Sequence, residues 1–405
     1  MPSTPPEGSP APADGSLPDS ALNGIGSRPF GIYVHVPYCA SRCGYCDFNT
    51  YTAEELGSNA SRAGYAEQAI AEIRFARRVL GDRDLPVSTV FVGGGTPTLL
   101  PAGDLGRILG AIRSEFGLLD GAEVTTEANP DSVSTSSLAA LRDYGFTRIS
   151  FGMQSIAPHV LSILERTHTP GRALAAVAEA RAAGFVHLNL DLIYATPGET
   201  EQDFANSLQA AIDSGVDHVS AYSLIVEDGT RLAARVRRGE ISNVDDDVAA
   251  DRYLQADEAL SRAGLEWYEV SNWSLPGGDC RHNLGYWRGD DWWGVGPGAH
   301  SHVGGVRWWN ERHPNTYGER IVAGRSPAQA REVLEDEVRR VEDILLRVRL
   351  REGLRVDRLT NVGRDVARRA AEDGLADPAE LAVGRVVLTQ RGRLLADALV
   401  RDLVD

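Results

Sequence analysis

The sequence contains no lysine, and all 41 of its basic residues are arginine. The chain therefore has neither a P-loop lysine nor a Schiff-base lysine, which excludes P-loop nucleotide hydrolysis and pyridoxal phosphate chemistry. A net charge of −16 disfavours nucleic acid, so no nucleic-acid partner is expected. No apolar run is long enough to cross a membrane, so the sequence does not predict an integral membrane protein.

Cysteine is scarce, and its distribution is uneven. Three of the four cysteines lie within eight residues of one another, which argues against a disulfide scaffold and favours a reducing cytoplasm. Residues 1–27 are rich in Pro, Ser, Gly and Ala and lack a basic region followed by an apolar core. They are predicted to be a disordered extension and not a signal peptide, so the predicted location is cytoplasmic.

The clustered cysteines, Cys39, Cys43 and Cys46, have the spacing Cys-x3-Cys-x2-Cys and follow an apolar run at 31–36. Three thiolates on one tight loop suit an iron–sulfur cluster that has one open iron, because no fourth cysteine is nearby. The alternative is a zinc site in which His35 or a distant residue supplies the fourth ligand.

A strand-then-helix pattern recurs from residue 29 to about residue 230. Short apolar runs bounded by Gly and Pro predict strands at 31–36, 89–92, 123–127, 148–152, 188–193 and 218–224. Helical periodicity predicts helices at 65–80, 104–116, 135–144, 172–183 and 201–214. This alternation predicts an α/β fold with a parallel sheet, either a barrel or a doubly wound sheet.

Polar residues gather where these strands end. After the cysteine loop come the glycine turn 93–96, Glu127, Gln154 and Asp191, each at or near the carboxyl end of a predicted strand. Parallel α/β folds place their active sites at that edge of the sheet.

The character of the chain changes after about residue 245. A helix is predicted at 249–263 and a strand at 266–272, and all seven tryptophans lie between Trp267 and Trp309. Further on, the sequence predicts a helix over 331–347, two short helices, a strand pair at 386–388 and 393–394, and a final helix.

The cysteine motif, with Tyr45 before its last cysteine, resembles the signature of the radical S-adenosylmethionine (SAM) enzymes. The resemblance implies that Cys39, Cys43 and Cys46 hold a [4Fe–4S] cluster and that SAM chelates its open iron. One-electron reduction then cleaves SAM to methionine and a 5′-deoxyadenosyl radical.

The same resemblance implies a partial six-stranded (β/α)6 barrel over residues 28–245. It implies a C-terminal α+β extension over 246–325 and a small helical, winged-helix-like domain over 326–405. The residues implied to contact SAM are Tyr33, Tyr45, Gly94, Gly95, Thr96, Glu127, Gln154, Arg166 and Asp191. Glu165 is an alternative partner for Arg166.

Within this superfamily, residues 33–48 resemble the branch that contains oxygen-independent coproporphyrinogen III oxidase and the HemW-type heme chaperones. The oxidase has a further cysteine two residues after the last cluster ligand, where this chain has Phe48. His282-Asn283-x-x-Tyr286 resembles the His-Asn-x-x-Tyr motif of the chaperones, and His and Tyr are both able to bind heme iron.

The residues alone leave alternatives open at this motif. A buried aromatic cluster with a hydrogen-bonded His282 is the simpler interpretation. If heme binds, Trp287, Trp292 and Trp293 offer flat apolar surface, His300 and His302 are rival ligands, and Cys280 is a minor candidate.

The resemblance predicts a heme chaperone that passes heme to apo-hemoproteins, those of the respiratory chain above all, without coproporphyrinogen oxidase activity. One alternative is the oxidase itself, and another is a radical SAM enzyme with a different substrate. A homodimer and peripheral contact with membrane-bound acceptors both stay open.

Overall fold

The computed structural model describes residues 7–56 and 62–404. Its strands are β1 (Ser9–Pro10), β2 (Phe30–Val36), β3 (Val87–Gly94), β4 (Leu118–Ala128), β5 (Arg148–Gln154), β6 (His187–Tyr194), β7 (His218–Ser223), β8 (Glu266–Glu269), β9 (Asn272–Ser274), β10 (Asp291–Val295), β11 (His300–Val303), β12 (Val306–Asn310), β13 (Ala328–Val333), β14 (Leu354–Arg355) and β15 (Arg385–Val386).

The helices alternate with the strands in the first half of the chain and dominate its end. They are α1 (Asp19–Asn23), α2 (Ala53–Leu56), α3 (Tyr65–Leu80), α4 (Ala102–Phe116), α5 (Thr135–Tyr144), α6 (Pro158–Ile163), α7 (Arg172–Ala182), α8 (Glu201–Asp213), α9 (Arg231–Arg237), α10 (Asp246–Arg262), α11 (Arg281–Arg288), α12 (Pro314–Val322), α13 (Asp336–Arg347), α14 (Asn361–Glu372), α15 (Pro378–Ala382), α16 (Gln390–Leu394) and α17 (Ala396–Val404).

The central feature is one large sheet whose middle is parallel. Strands β2 to β7 pair in sequence order, and β10 adds a further parallel strand beside β2. Antiparallel strands β11, β12, β13 and β1 continue one edge, and the β9–β8 hairpin continues the other. The predicted partial six-stranded (β/α)6 barrel is confirmed, and the strand predicted at 266–272 is this hairpin.

The helices after the barrel strands cover its outer face, because each has one apolar side. In α4 the buried residues are Leu105, Ile108, Leu109, Ile112 and Phe116, which is helical spacing. Helix α8 begins with a capping box between Thr200 and Asp203. The barrel interior is polar instead, and Thr125, Ser150 and Ser220 lie buried there.

The N-terminal segment is more ordered than predicted. Over the described residues 7–27, the prediction of a disordered extension is wrong: β1 pairs with β13, and Ala21 is completely buried. The Ala13 carbonyl accepts a hydrogen bond of 2.8 Å from the Ser326 amide. Composition did not reveal this order because the partners of the segment lie some 300 residues away in the chain. Residues 1–6 lie outside the described part.

Two predictions about the C-terminal region are also wrong. Residues 328–333 form β13 of the main sheet, so the helical domain begins after Val333 and not at 326. Residues 393–394 belong to helix α16, and β15 pairs with β14. Arg393 on that helix forms ion pairs with Asp257 of α10 and lies 4.4 Å from the Trp267 ring centroid, so tertiary contacts determine its place.

Helices α13 to α17 and the β14–β15 pair enclose a second hydrophobic core that includes Ile344, Val366 and Leu403. Within the described residues, no helix is long and apolar enough to cross a membrane.

Candidate functional site

A cavity of about 810 Å³ opens at the carboxyl ends of the parallel strands. It extends from the barrel interior to the aromatic residues of β10–β12 and to helix α13. The side chains that line it include Tyr33, Phe48, Phe91, Glu127, Asp191, Tyr286, Trp292, His300, His302, Trp309 and Leu345. Its size lies within the ~300–1,000 Å³ range of cofactor and ligand sites.

The cysteine loop lies beside this cavity, and backbone hydrogen bonds hold it in place. The Cys39 amide donates to the Tyr51 carbonyl at 3.0 Å, and the Gly44 amide donates to the Leu164 carbonyl at 3.0 Å. Burial, with the neighbouring Cys46 and Cys43, raises the pKa of Cys39 to about 11. Bound metal would reverse this shift, because it favours the thiolate.

The structure argues against the zinc alternative, because both ring nitrogens of His35, the proposed fourth ligand, are hydrogen-bonded. His35 Nδ1 is hydrogen-bonded to the Tyr33 hydroxyl at 2.9 Å, and His35 Nε2 to the Asn49 carbonyl at 2.9 Å. Across residues 7–56 and 62–404, no three His, Cys, Asp or Glu side chains are close enough together to bind a single ion. Thiolates that hold a cluster bind different irons and need not converge on one point, so the loop fits a cluster better.

The glycine turn after β3 packs directly against the cysteine loop. A Cβ on Gly95 would lie 2.5 Å from the Tyr38 carbonyl oxygen and 3.0 Å from Cys39 Sγ. Gly94 has φ +111° and no room for a Cβ beside the His35 ring, so both positions need glycine. The Thr96 amide donates to the Tyr38 carbonyl at 2.7 Å. The turn thus brings bare backbone next to the cysteines.

Two carboxylates lie in the cavity wall beyond this turn. Glu127 accepts a hydrogen bond of 3.0 Å from the Gly94 amide, and burial and the nearby Asp191 raise the pKa of Glu127 to about 8. Asp191 accepts from the Ser150 hydroxyl at 2.9 Å, and burial raises its pKa too. Burial disfavours the charged form of both carboxylates, so they are suited to a ligand that is cationic or donates hydrogen bonds.

Gln154 and Arg166 carry buried polar atoms that lack partners within the described residues. These atoms are Gln154 Oε1 and Arg166 Nε. Gln154 also has φ +66°, an unfavourable conformation for a non-glycine residue. Arg166 donates to Cys43 Sγ at 3.4 Å and to the Gly152 carbonyl at 3.0 Å. Unpaired buried groups beside the cysteine loop indicate a polar ligand.

The alternative pairing of Arg166 with Glu165 is not what the structure has. Glu165 forms ion pairs with Arg231 and Arg235 of α9 instead. Tyr45 packs into a small apolar cluster that includes Val160 and Leu164, next to Cys43.

His282 lies on α11, and its side chain is buried in the core. Its Nδ1 is hydrogen-bonded to the Thr89 hydroxyl at 2.8 Å and its Nε2 to the Tyr286 hydroxyl at 2.9 Å. The ring stacks on Phe91 at a centroid distance of 5.3 Å, and burial lowers its pKa to about 3. The simpler interpretation of the motif, a hydrogen-bonded histidine in an aromatic cluster, therefore describes His282, while Tyr286 faces the cavity.

Sequence reasoning missed several residues of this site. Asn49 donates to the carbonyls of Pro297 at 3.1 Å and Arg312 at 2.9 Å, which ties the cysteine loop to the C-terminal extension. Thr89 and Phe91, the partners of His282, were assigned only to a strand. Their spacing of two residues on one predicted strand was the available signal, because alternate strand residues face the same side of a sheet.

Comparisons with known proteins agree with this geometry. The family model "Radical SAM superfamily" matches residues 33–211. A protein of Mycobacterium tuberculosis named "Heme chaperone HemW" is 54% identical over 93% of this chain and 95% of its own length. The protein of the same name from Lactococcus lactis subsp. lactis is 34% identical over 82% of this chain and 85% of its own length.

The fold has a solved counterpart. The structure described as "Coproporphyrinogen III oxidase (HemN) from Escherichia coli is a Radical SAM enzyme" matches 96% of this chain and 94% of that one, with a TM-score of 0.79 and 21% identity. At that identity the likeness concerns the fold alone. The two proteins named heme chaperone HemW define the family more narrowly than the superfamily model does, because their sequence identity to this chain extends over most of both chains. The chain belongs to the HemW family within the radical SAM superfamily.

Proposed function

We propose that this protein is a heme chaperone that binds heme and transfers it to apo-hemoproteins, with a [4Fe–4S] cluster and SAM as cofactors. The observation that carries the proposal is that one continuous cavity joins the strand-end carboxylates to the aromatic C-terminal extension. A macrocycle at the extension and a nucleoside at the strand ends would therefore be neighbours. Relatives of the same family bear the name heme chaperone.

The cysteine loop is proposed to hold the cluster through Cys39, Cys43 and Cys46. The cluster would supply one-electron reduction at its open iron. SAM carries an amino group, a carboxylate, a sulfonium and a ribose, which need partners of both charges. Glu127 and Asp191 offer acceptors, Arg166 a cation, and the turn at Gly94 and Gly95 close backbone approach, with the remaining proposed contacts from Tyr33, Tyr45, Thr96 and Gln154.

The heme part of the proposal rests on the aromatic residues that line the cavity outside the barrel interior. Phe48 is 49% exposed there, and Trp292 and Tyr286 pack edge to face at 4.7 Å. Exposed aromatic surface is costly in water and suits a flat apolar ring system. His282 then orients Tyr286 through its hydrogen bond to the Tyr286 hydroxyl. Both residues of the motif would therefore contribute to the heme site without contact between His282 and the iron.

The second candidate is oxygen-independent coproporphyrinogen III oxidase, because a protein of that activity shares the fold. Phe48 argues against it, since the oxidase has cysteine at that position. The transfer proposal also includes apo-hemoproteins of the respiratory chain as acceptors and the cytoplasm as the place of action, where free thiols persist.

One anaerobic experiment separates the two functions. Protein with a reconstituted cluster is titrated with hemin and then mixed with an apo-hemoprotein acceptor, and in parallel it receives coproporphyrinogen III, SAM and a reductant. We expect a saturable heme spectrum, its transfer to the acceptor, and no protoporphyrinogen. Protoporphyrinogen formation would establish the oxidase, and absence of hemin binding would refute the chaperone function.

A further inference from the structure

Four histidines line the cavity, and they differ in how many of their ring nitrogens have hydrogen-bond partners. His35 and His218 each have both nitrogens hydrogen-bonded, His218 to Asn189 and Tyr268. His302 has its Nδ1 bonded to the Asp290 carbonyl at 3.0 Å and is only 8% exposed. Neither ring nitrogen of His300 has a hydrogen-bond partner within residues 7–56 and 62–404. Within those residues His302 therefore has one ring nitrogen without a hydrogen-bond partner, Nε2, and His300 is the cavity histidine in which both nitrogens lack one.

The backbone of His300 is held firmly, although its ring nitrogens have no hydrogen-bond partner in the described part of the chain. Its carbonyl accepts a hydrogen bond of 2.9 Å from Trp292 Nε1, and it pairs with Trp309 across the β11–β12 ladder. The His300 ring stacks on Trp309 at 5.9 Å and an interplanar angle of 27°. Trp309 is 2% exposed, so the ring that supports His300 is itself fixed in the core. A rigidly placed imidazole with an unpartnered nitrogen is suited to binding a metal ion.

The turn before His300 is built to a defined shape. Gly296 has φ +106° and donates to the buried carboxylate of Glu72 at 2.7 Å. Gly298 has φ +71°, and a Cβ there would lie 2.5 Å from Asn49 Nδ2. The same turn therefore contacts the segment that follows Cys46. Burial lowers the pKa of His300 to about 4, so the ring is neutral and able to bind metal at pH 7.

We propose that His300 is the axial ligand of heme iron in this cavity, with Phe48 and Trp292 against the macrocycle. The inference rests on the proposed heme-chaperone function and makes it more specific. His282 would need to give up a bond to Thr89 or Tyr286 to ligate iron, whereas the ring of His300 has no hydrogen bond to lose among the described residues. Cys280 is a poor rival, because it is 2% exposed and burial raises the pKa of its thiol.

The test compares hemin with metal-free protoporphyrin IX, because only hemin has an iron to bind. Cluster-loaded wild-type protein and the His300→Ala, His302→Ala and His300→Gly variants are titrated with both compounds, with optical and electron paramagnetic resonance spectra of the hemin complexes. We expect His300→Ala to shift the Soret band and weaken hemin affinity about tenfold or more. Its affinity for metal-free protoporphyrin should change less than about twofold, and added imidazole should restore the spectrum of His300→Gly. His302→Ala should keep the Soret position of the wild-type hemin complex.

Each other outcome has a distinct meaning. An unchanged hemin spectrum in His300→Ala would overturn the ligand assignment while leaving the chaperone function standing. Equal losses for hemin and metal-free protoporphyrin would also overturn it, since His300 would then act by packing. Wild-type protein that binds neither compound would refute the proposed function itself. Iron and sulfide content, measured for every variant, verifies that the fold around the cluster is retained.

Discussion

The Asn49 side-chain nitrogen lies 3.1 Å from the Pro297 carbonyl oxygen, so the cysteine loop is joined directly to the turn that precedes His300. The same nitrogen donates to the Arg312 carbonyl at 2.9 Å, and the Asn49 carbonyl accepts from His35. One residue, through its side chain and its backbone carbonyl, therefore links the proposed cluster loop, the barrel and the proposed heme wall. A change at either site can reach the other through it.

Replacing Asn49 tests this link. Asn49→Ala removes the hydrogen bonds that the side-chain nitrogen donates to the Pro297 and Arg312 carbonyls, and those that the side-chain oxygen accepts from the Tyr51 hydroxyl and Arg312 Nε, each of about 1 kcal/mol. We expect a lower urea midpoint and weaker hemin binding with an unchanged iron and sulfide content. Asn206→Ala, at an exposed helical position, is the matched control and should change neither. Hemin affinity equal to wild type in Asn49→Ala would show that the turn holds its shape without this side chain.

The cluster assignment predicts a sharp difference among the four cysteines. Cys39→Ala, Cys43→Ala and Cys46→Ala should each lose the broad visible absorption of the cluster and most of its iron and sulfide. Cys280→Ala should keep them, because Cys280 is buried beside Glu123, away from the loop. Chemical iron and sulfide analysis after anaerobic reconstitution decides the matter. A full complement of iron in any loop variant would remove that residue from the ligand set.

We expect Glu127 to lower the folding stability of the SAM-free protein and to increase its affinity for SAM. Its pKa is raised from 4.5 to about 8, so the folded state holds this proton more tightly and loses stability as pH rises from about 4.5 to 8. Glu127→Gln should therefore raise the thermal midpoint of the SAM-free protein, by more at pH 8 than at pH 5, and weaken SAM binding. Thermal scans at both pH values and SAM titration measure this. An equal change at both pH values would contradict the proposed protonation.

His282 should prove structural and not an iron ligand. His282→Ala leaves the Thr89 and Tyr286 hydroxyls unpaired and opens a small void, which should cost about 2–4 kcal/mol. The Soret position of the hemin complex should nevertheless stay that of wild type. Tyr286→Phe, which removes only one hydroxyl, is the milder companion. A Soret shift in His282→Ala with a normal spectrum in His300→Ala would return the ligand role to His282.

The C-terminal helical domain should loosen when Arg393 is removed. Arg393 pairs with Asp257 at 2.7 Å, and the two side chains are 8% and 11% exposed. Arg393→Ala leaves Asp257 with one charge partner fewer and should cost roughly 3 kcal/mol. Faster limited proteolysis between α13 and the main body is the expected readout. Arg368→Ala, from an exposed pair with Asp365, should behave as wild type.

The sequence by itself determined what depends on short-range periodicity and spacing. The cysteine loop, the alternation of strands and helices, and the polar residues at strand ends could all be read from it, because side-chain direction repeats every two residues in a strand and every 3.6 in a helix. Glu127 and Asp191 were found in this way, and both lie in the cavity wall.

Only the tertiary structure decided which partner each polar side chain has. Thr89 lies 193 positions from His282, and the Asp257 partner of Arg393 is 136 positions away. Local pattern carries no signal for such pairs. For that reason the sequence could offer His282, through its motif, and His300, as a rival, without deciding between them as iron ligands. In the folded chain, hydrogen bonds occupy both ring nitrogens of His282, while His300 lines the cavity and its ring nitrogens have no partner among the described residues.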